Sequence, residues 1–163
     1  MRRVRPFSKF LLALVAVASV CLATAAAVAA DSLAVYAVSP TPGQRSIYEL
    51  RFSLSQPLPP DAVFEIHLPP ALNPNEVKVV GSQTIDGGFR LRKQGNVLLV
   101  ERTGRGHVVP AGKTVDLKLA NFRNPKVLDA GLQVRLVIRR GGRSVADVSS
   151  SVRWAAPPKV LAR

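Results

Sequence analysis

The chain is poor in the residues that most often carry chemistry. Among 163 residues there is one Cys, one Met and two His. A single thiol cannot close an intrachain disulfide, and with so few imidazoles it cannot supply a zinc-finger ligand set. Aromatic residues make up only 6%, too few to fill a core and also tile a surface with base-stacking platforms. No G-x-S-x-G nucleophile elbow occurs, and Gly104-Arg-Gly106 lacks the further Gly and the helix that a phosphate-cradling loop needs. The acids of the interior sequence, Asp61, Glu65, Glu76, Asp86, Glu101, Asp116, Asp129 and Asp147, stand singly and read as solvated strand-face or turn residues rather than a glycosidase pair. Together these absences argue against an enzyme and call for no metal and no cofactor.

Cationic side chains, by contrast, are abundant: 23 Lys and Arg face ten Asp and Glu, for a formal net charge of +13. Four of those cations, Arg2, Arg3, Arg5 and Lys9, open the chain with no acid among them. The apolar run Phe10–Leu22 follows, and then the small-residue stretch Ala23–Ala30. A basic start, an apolar core of that length and a small-residue exit spell a secretory signal peptide over residues 1–30. Cleavage after Ala29 or Ala30 would leave a mature chain starting near Asp31 and exported to the periplasm, the cell surface or the medium. An uncleaved anchor is the alternative, since Phe10–Ala30 carries no charge and is long enough to span a bilayer. Cys21 follows Ala-Ser-Val and precedes more apolar sequence, so it reads as a small leader residue rather than a lipidation site. The Arg2-Arg3 pair lacks the flanks of a twin-arginine signal.

Beyond Asp31 the dominant period is two. Tyr48, Leu50, Phe52 and Leu54 alternate with Glu49, Arg51 and Ser53; Phe64, Ile66 and Leu68 with Glu65 and His67. Val115, Leu117 and Leu119 alternate with Asp116 and Lys118, and Leu132, Val134, Leu136 and Ile138 with Gln133, Arg135 and Val137. Successive strand side chains point to opposite faces, so alternation of this kind predicts half-buried strands. Shorter candidates are 33–38, 77–80, 89–93, 97–102 and 145–154. Glycine-bearing turns separate these runs, and Gly141-Gly142 has the two-residue length of a hairpin with positive φ. About nine short strands without a long helical period predict an all-β fold, an immunoglobulin-like antiparallel β-sandwich over residues 31–156. Residues 157–163 read as a tail, and a barrel is the alternative closure.

The order Ser39-Pro-Thr-Pro-Gly43, the Tyr48–Leu54 strand, Leu58-Pro-Pro and Phe64-Glu-Ile-His-Leu-Pro-Pro70 resembles the immunoglobulin-like modules of bacterial exported and cell-surface proteins. So does Val109-Pro-Ala-Gly-Lys-Thr-Val-Asp-Leu-Lys-Leu119 followed by Asn124-Pro125. The resemblance covers about residues 38–140 and implies architecture and location, with no reaction attached. This chain departs from such modules in appearing singly and in its wealth of Arg. A second resemblance, to small periplasmic copper-carrier sandwiches, lacks the ligands: only His67 and His107 lie beyond the leader, with no Met.

The charge is unevenly placed. Residues 31–89 sum to −3 and residues 90–163 to +12. Arg90, Arg92 and Lys93 cluster at one strand, Arg139, Arg140 and Arg143 surround the Gly141-Gly142 turn, and Arg135 shares an outward side with Arg139. Such a polarised surface suits an anionic partner, whether an envelope polymer, lipid headgroups or an acidic protein. Solvated strand faces that resist edge-to-edge pairing would account for the same charges. Nucleic acid is disfavoured by export and by the lack of interleaved aromatics. A carrier or accessory domain with a small ligand between its sheets is the other reading.

Overall fold

The computed structural model describes residues 31–159, so the leader and its cleavage site lie outside the described residues. Each alternating run becomes a strand: β1 Ser32–Ala37, β2 Arg45–Ser53, β3 Val63–His67, β4 Val79–Gly81, β5 Phe89–Gln94, β6 Val97–Arg102, β7 Val115–Arg123, β8 Gln133–Arg140 and β9 Arg143–Arg153. A short 3-10 turn, Pro74–Glu76, precedes β4 and is opened by the Asn73 side chain. The widest departure from expectation is β7, which runs on from Leu119 to Arg123. Three steps of β7, from Leu119 to Phe122, face two of β2, from Tyr48 to Ser46, and Asn121 takes a φ of 74° there. That bulge hides the continuation, because one extra residue breaks the period-two pattern without ending the strand.

Two sheets result. β4, β7, β2 and β1 pair antiparallel in that order, as do β9, β8, β3, β6 and β5. A parallel seam, Val35 against Val152 and Tyr36 against Arg153, links β1 to β9 and is the one non-antiparallel pairing among the described residues. Edge strands β4 and β5 form no ladder with each other, so the nine strands make a sandwich and not a closed barrel. The fold is an all-β, immunoglobulin-like β-sandwich.

Alternation fills the space between the sheets. Val35, Leu50, Phe52 and Leu117 from the first sheet meet Phe64, Ile66, Leu98, Val100, Leu136 and Ile138 from the second, each at most 2% exposed. Phe52 and Phe64 bridge the layers edge to face, with ring centroids 5.8 Å apart. A fully buried side chain of this kind contributes roughly 1.5–3 kcal/mol of transfer free energy. Among the described residues, every buried core side chain falls between Val35 and Val152.

Two of the proline-bearing loops that carry the resemblance, joined by backbone hydrogen bonds from Gly43 to Pro125 and from Asn124 to Gln44, are latched further by one side-chain amide. Buried Asn124 donates through Nδ2 to the carbonyls of Ser39 (2.7 Å) and Thr41 (2.9 Å), and its Oδ1 accepts from the Tyr48 hydroxyl at 2.9 Å. Burial also raises the Tyr48 pKa well above the ordinary phenol value, keeping that hydroxyl a donor. Removing the hydroxyl in Tyr48→Phe leaves a buried acceptor short of a partner and is expected to cost about 1–2 kcal/mol. Asn124→Ala strips two carbonyls as well and is expected to cost more. Urea denaturation midpoints check both, and an Asn124→Ala protein as stable as the parent would refute the latch.

Candidate functional site

Four of the seven cationic side chains singled out in the sequence gather on the outer face of the β9-β8-β3-β6-β5 sheet. Register aligns three rows across it: Gln94, Val97, His67, Arg135, Ser149; then Arg92, Leu99, Glu65, Val137, Asp147; then Arg90, Glu101, Val63, Arg139, Ser144. Directly opposed residues point to the same face, so Arg90, Arg92, Arg135 and Arg139 share it. Arg140 and Arg143 flank the β8–β9 turn at its end, where Gly141 and Gly142 adopt φ of 53° and 80°. A side chain at either glycine would force the left-handed region on a residue that resists it.

Lys93 does not join them. It lies in the opposite phase of β5 and donates through Nζ to the Asn75 carbonyl at 2.9 Å. Partial burial, with the nearby Lys78 charge, lowers its pKa below the usual ammonium value.

Acids are threaded among the cations of the face. Arg135 grips Asp147 with Nε at 2.7 Å and Nη2 at 2.5 Å, and Arg139 Nε meets Glu65 at 2.6 Å. Glu101 pairs with Arg92 and, at 4.0 Å through its other oxygen, with Arg90. The hydrogen bonds raise the Arg135 pKa and hold the Asp147 carboxyl below its ordinary value. Exposed pairs of this kind add little stability each, but they mask charge. The open cations lie beyond the last row: Arg140, Arg143 and Arg105 are exposed and form no ion pair among the described residues.

At that same end of the sheet stands a residue the charge count did not distinguish, Arg102. It follows Leu98 and Val100 in the inward phase of β6, and its side chain is 1% exposed. Its guanidinium gathers three loops, donating to the carbonyls of Leu58 (3.2 Å), Pro59 (2.7 Å), Asp86 (3.4 Å) and His107 (2.8 Å). Burial lowers its pKa, against the opposing pull of Asp86 and Asp61. Asp86 closes the ring, accepting from the His107 backbone at 2.9 Å and lying 2.6 Å from Nδ1 of its imidazole. Gly106 is obligatory here, because a Cβ would sit 2.4 Å from the Asp86 carbonyl and 2.7 Å from the Arg102 guanidinium. The one sequence sign of this clamp was an Arg in an inward phase.

The other sheet buries charge on its outer face as well. Glu49 and Asp116, outward by phase, are only 5% and 6% exposed. Arg51 and Lys118 flank Glu49 at 2.6 Å and 3.7 Å, while Ser82, Gln83 and Thr84 cap Asp116. Arg51 also donates to the Pro158 carbonyl, and the guanidiniums of Arg51 and Arg153 cover Tyr36 at 5.8 Å and 5.4 Å. A small pocket of about 160 Å³ beside Asp116 opens outward, away from the space between the sheets. Among the described residues, no cluster of three His, Cys, Asp or Glu could hold a metal ion.

No family model and no curated protein matches the chain in sequence. Solved structures do align with it. The chitin-binding domain of a chitinase from Pyrococcus furiosus is 14% identical, with 71% of this chain and 98% of that one covered at a TM-score of 0.39. A non-cellulosomal cohesin from Archaeoglobus fulgidus is 13% identical, covering 75% and 91% at 0.39. An exo-β-N-acetylglucosaminidase from Vibrio harveyi is 11% identical at 0.44; the match takes in 79% of this chain but only 19% of the enzyme.

Two outcomes test the geometry of this end. Arg102→Met keeps side-chain bulk but orphans buried carbonyls, and a loss of about 3 kcal/mol is expected in chemical denaturation; a loss below about 1 kcal/mol would mean that the loops hold without it. Acid should also weaken the fold. His107 hydrogen bonds hold the Asp86 carboxyl below its ordinary 3.8, as Arg135 does for Asp147. A folded-state pKa below the unfolded one adds stability that is present above the unfolded value and lost as pH falls through the folded one. Between about pH 5 and about pH 2, the Asp86→Asn/Asp147→Asn double variant should therefore lose less stability than the parent. Parallel declines in urea midpoint would contradict this.

Proposed function

We propose that this chain is an exported, non-enzymatic binding module of the cell envelope whose basic side contacts an anionic partner. One observation carries the reading. Arg90, Arg92, Arg135 and Arg139 outnumber the three acids that pair with them on one outer sheet face, Glu65, Glu101 and Asp147, and Arg140 and Arg143 lie at its end without an ion pair among the described residues. Clustering raises the local potential, which scattered charges do not. The aromatic rings of this sheet do not interrupt the face: Phe64 and Phe89 turn inward and pack on each other at 6.4 Å. Stacking of nucleobases is thus poorly served, and a polyanion bound through its charged groups is favoured. The basic, apolar and small-residue order of residues 1–30 supports export.

Polyphosphate, heparin and neutral dextran test the reading with the chain from Asp31 onward. Binding to the two polyanions, and not to dextran, should weaken steeply between about 50 and about 500 mM salt. Changing Arg90, Arg92, Arg140 and Arg143 together to Gln should lower polyanion affinity at least about tenfold. Binding that ignores both salt and these substitutions would overturn it.

A further inference from the structure

We propose that the end of the sandwich where the chain enters at Asp31 is a cationic tip that seats the domain on an anionic lipid bilayer. The inference rests on the anionic-partner reading and names the partner.

Strand directions define the tip. β1 starts at this end, and its antiparallel neighbour β2 stops there, Ser32 facing Ser53. Because β1 and β9 run parallel, β9 also starts at this end, and β8 ends beside it at the Arg140–Arg143 turn. Val63 at the start of β3 faces both Arg139 and Glu101, and Arg90 at the start of β5 faces Glu101. The loop between β6 and β7 closes the same end, bringing Arg105 and Lys113, both exposed. The β8–β9 hairpin leads: with Val152 level with Val35, Arg143 lies about six residues, roughly 20 Å, ahead of Ser32.

The acids at this end are already engaged. Glu101 pairs with Arg90 and Arg92, and Asp86 with Arg102 and His107. Asp31 accepts the Ser55 backbone N–H at 2.6 Å, and the Asp61 charge partly opposes the lowering of the Arg102 pKa by burial. Arg105, Lys113, Arg140 and Arg143 form no ion pair among the described residues. Arg102, by donating to the His107 carbonyl, clamps the loop that carries Arg105 and Lys113.

Two features select a bilayer over a soluble polyanion. The cations crown a projecting end and do not line a groove, a shape that suits a plane of headgroups. The residues before Asp31 include the uncharged run Phe10–Ala30, so the chain reaches the domain from membrane-compatible sequence at this very end. Each Lys or Arg brought to an anionic leaflet strengthens attachment by about fivefold, the equivalent of about 1 kcal/mol.

The test uses the chain from Asp31 onward with vesicles of phosphatidylcholine, either pure or carrying about 30% phosphatidylglycerol. Sedimentation should show binding only to the anionic vesicles. Arg105→Gln, Arg140→Gln and Arg143→Gln combined should lower the partition coefficient on the order of 100-fold. A charge-matched variant at the far end, Arg45→Gln, Lys78→Gln and Lys126→Gln, should lower it less than about fivefold. Equal losses from the two variants would overturn an oriented tip. Binding to polyphosphate or heparin without binding to anionic vesicles would overturn the bilayer while leaving the anionic-partner reading intact. Failure to bind any of these would overturn both.

Discussion

A single buried guanidinium holds one end of this sandwich in shape. The sheets themselves are secured by alternation and core packing, and the segments between β2 and β3, between β4 and β5, and between β6 and β7 reach that core through Leu58, Ile85 and Val109, but several of their carbonyls converge at this end with no strand to pair them. Arg102 supplies what they lack, a planar fork of donors able to satisfy carbonyls arriving from several directions. Lysine would offer a point charge without that fixed spread. The desolvation cost of burying the cation is offset by those carbonyls and by Asp86, although Nε finds no partner among the described residues. Exposed loops anchored in this way can present charge in a defined place without a disulfide, which a chain with a single Cys could not form internally.

The strands were legible because burial on one face writes itself into the order of side chains. Runs such as Tyr48–Leu54 and Val97–Arg102 needed nothing from elsewhere in the chain to be recognised. Other features depend on partners far apart in sequence and left no local trace. Asn121 extends β7 through a bulge, and β1 reaches β9 in parallel across more than a hundred residues. The outward positions Glu49 and Asp116 looked solvated, yet Arg51, Lys118 and the 82–84 segment cover them. Of the cationic candidates, strand phase alone puts Arg135 with Arg139 and sets Lys93 apart from Arg90 and Arg92. Nothing local could show that β5 would bring Arg90 and Arg92 to the same face as the β8 pair.

Net charge is a poor guide to where such a protein is sticky. Across the central rows of the five-stranded sheet the cations are answered by Glu65, Glu101 and Asp147, so that face is closer to a lattice of mutual bonds than to a positive field. Such a lattice also protects an open sheet surface and its edge, since charged strands pair reluctantly with other strands. Excess charge survives where the rows run out, in turns too short to carry compensating acids.

The parallel seam between β1 and β9 gives the domain a mechanical character. Any tension arriving through Asp31 pulls along β1, which lies between β2 on one side and β9 on the other. Backbone hydrogen bonds of the ladders lie across the strand direction, so that pull loads many of them together in shear instead of opening them one after another. The strand that follows Asp31 is thus also the keystone between the two sheets, and the sandwich would resist being drawn apart from that side.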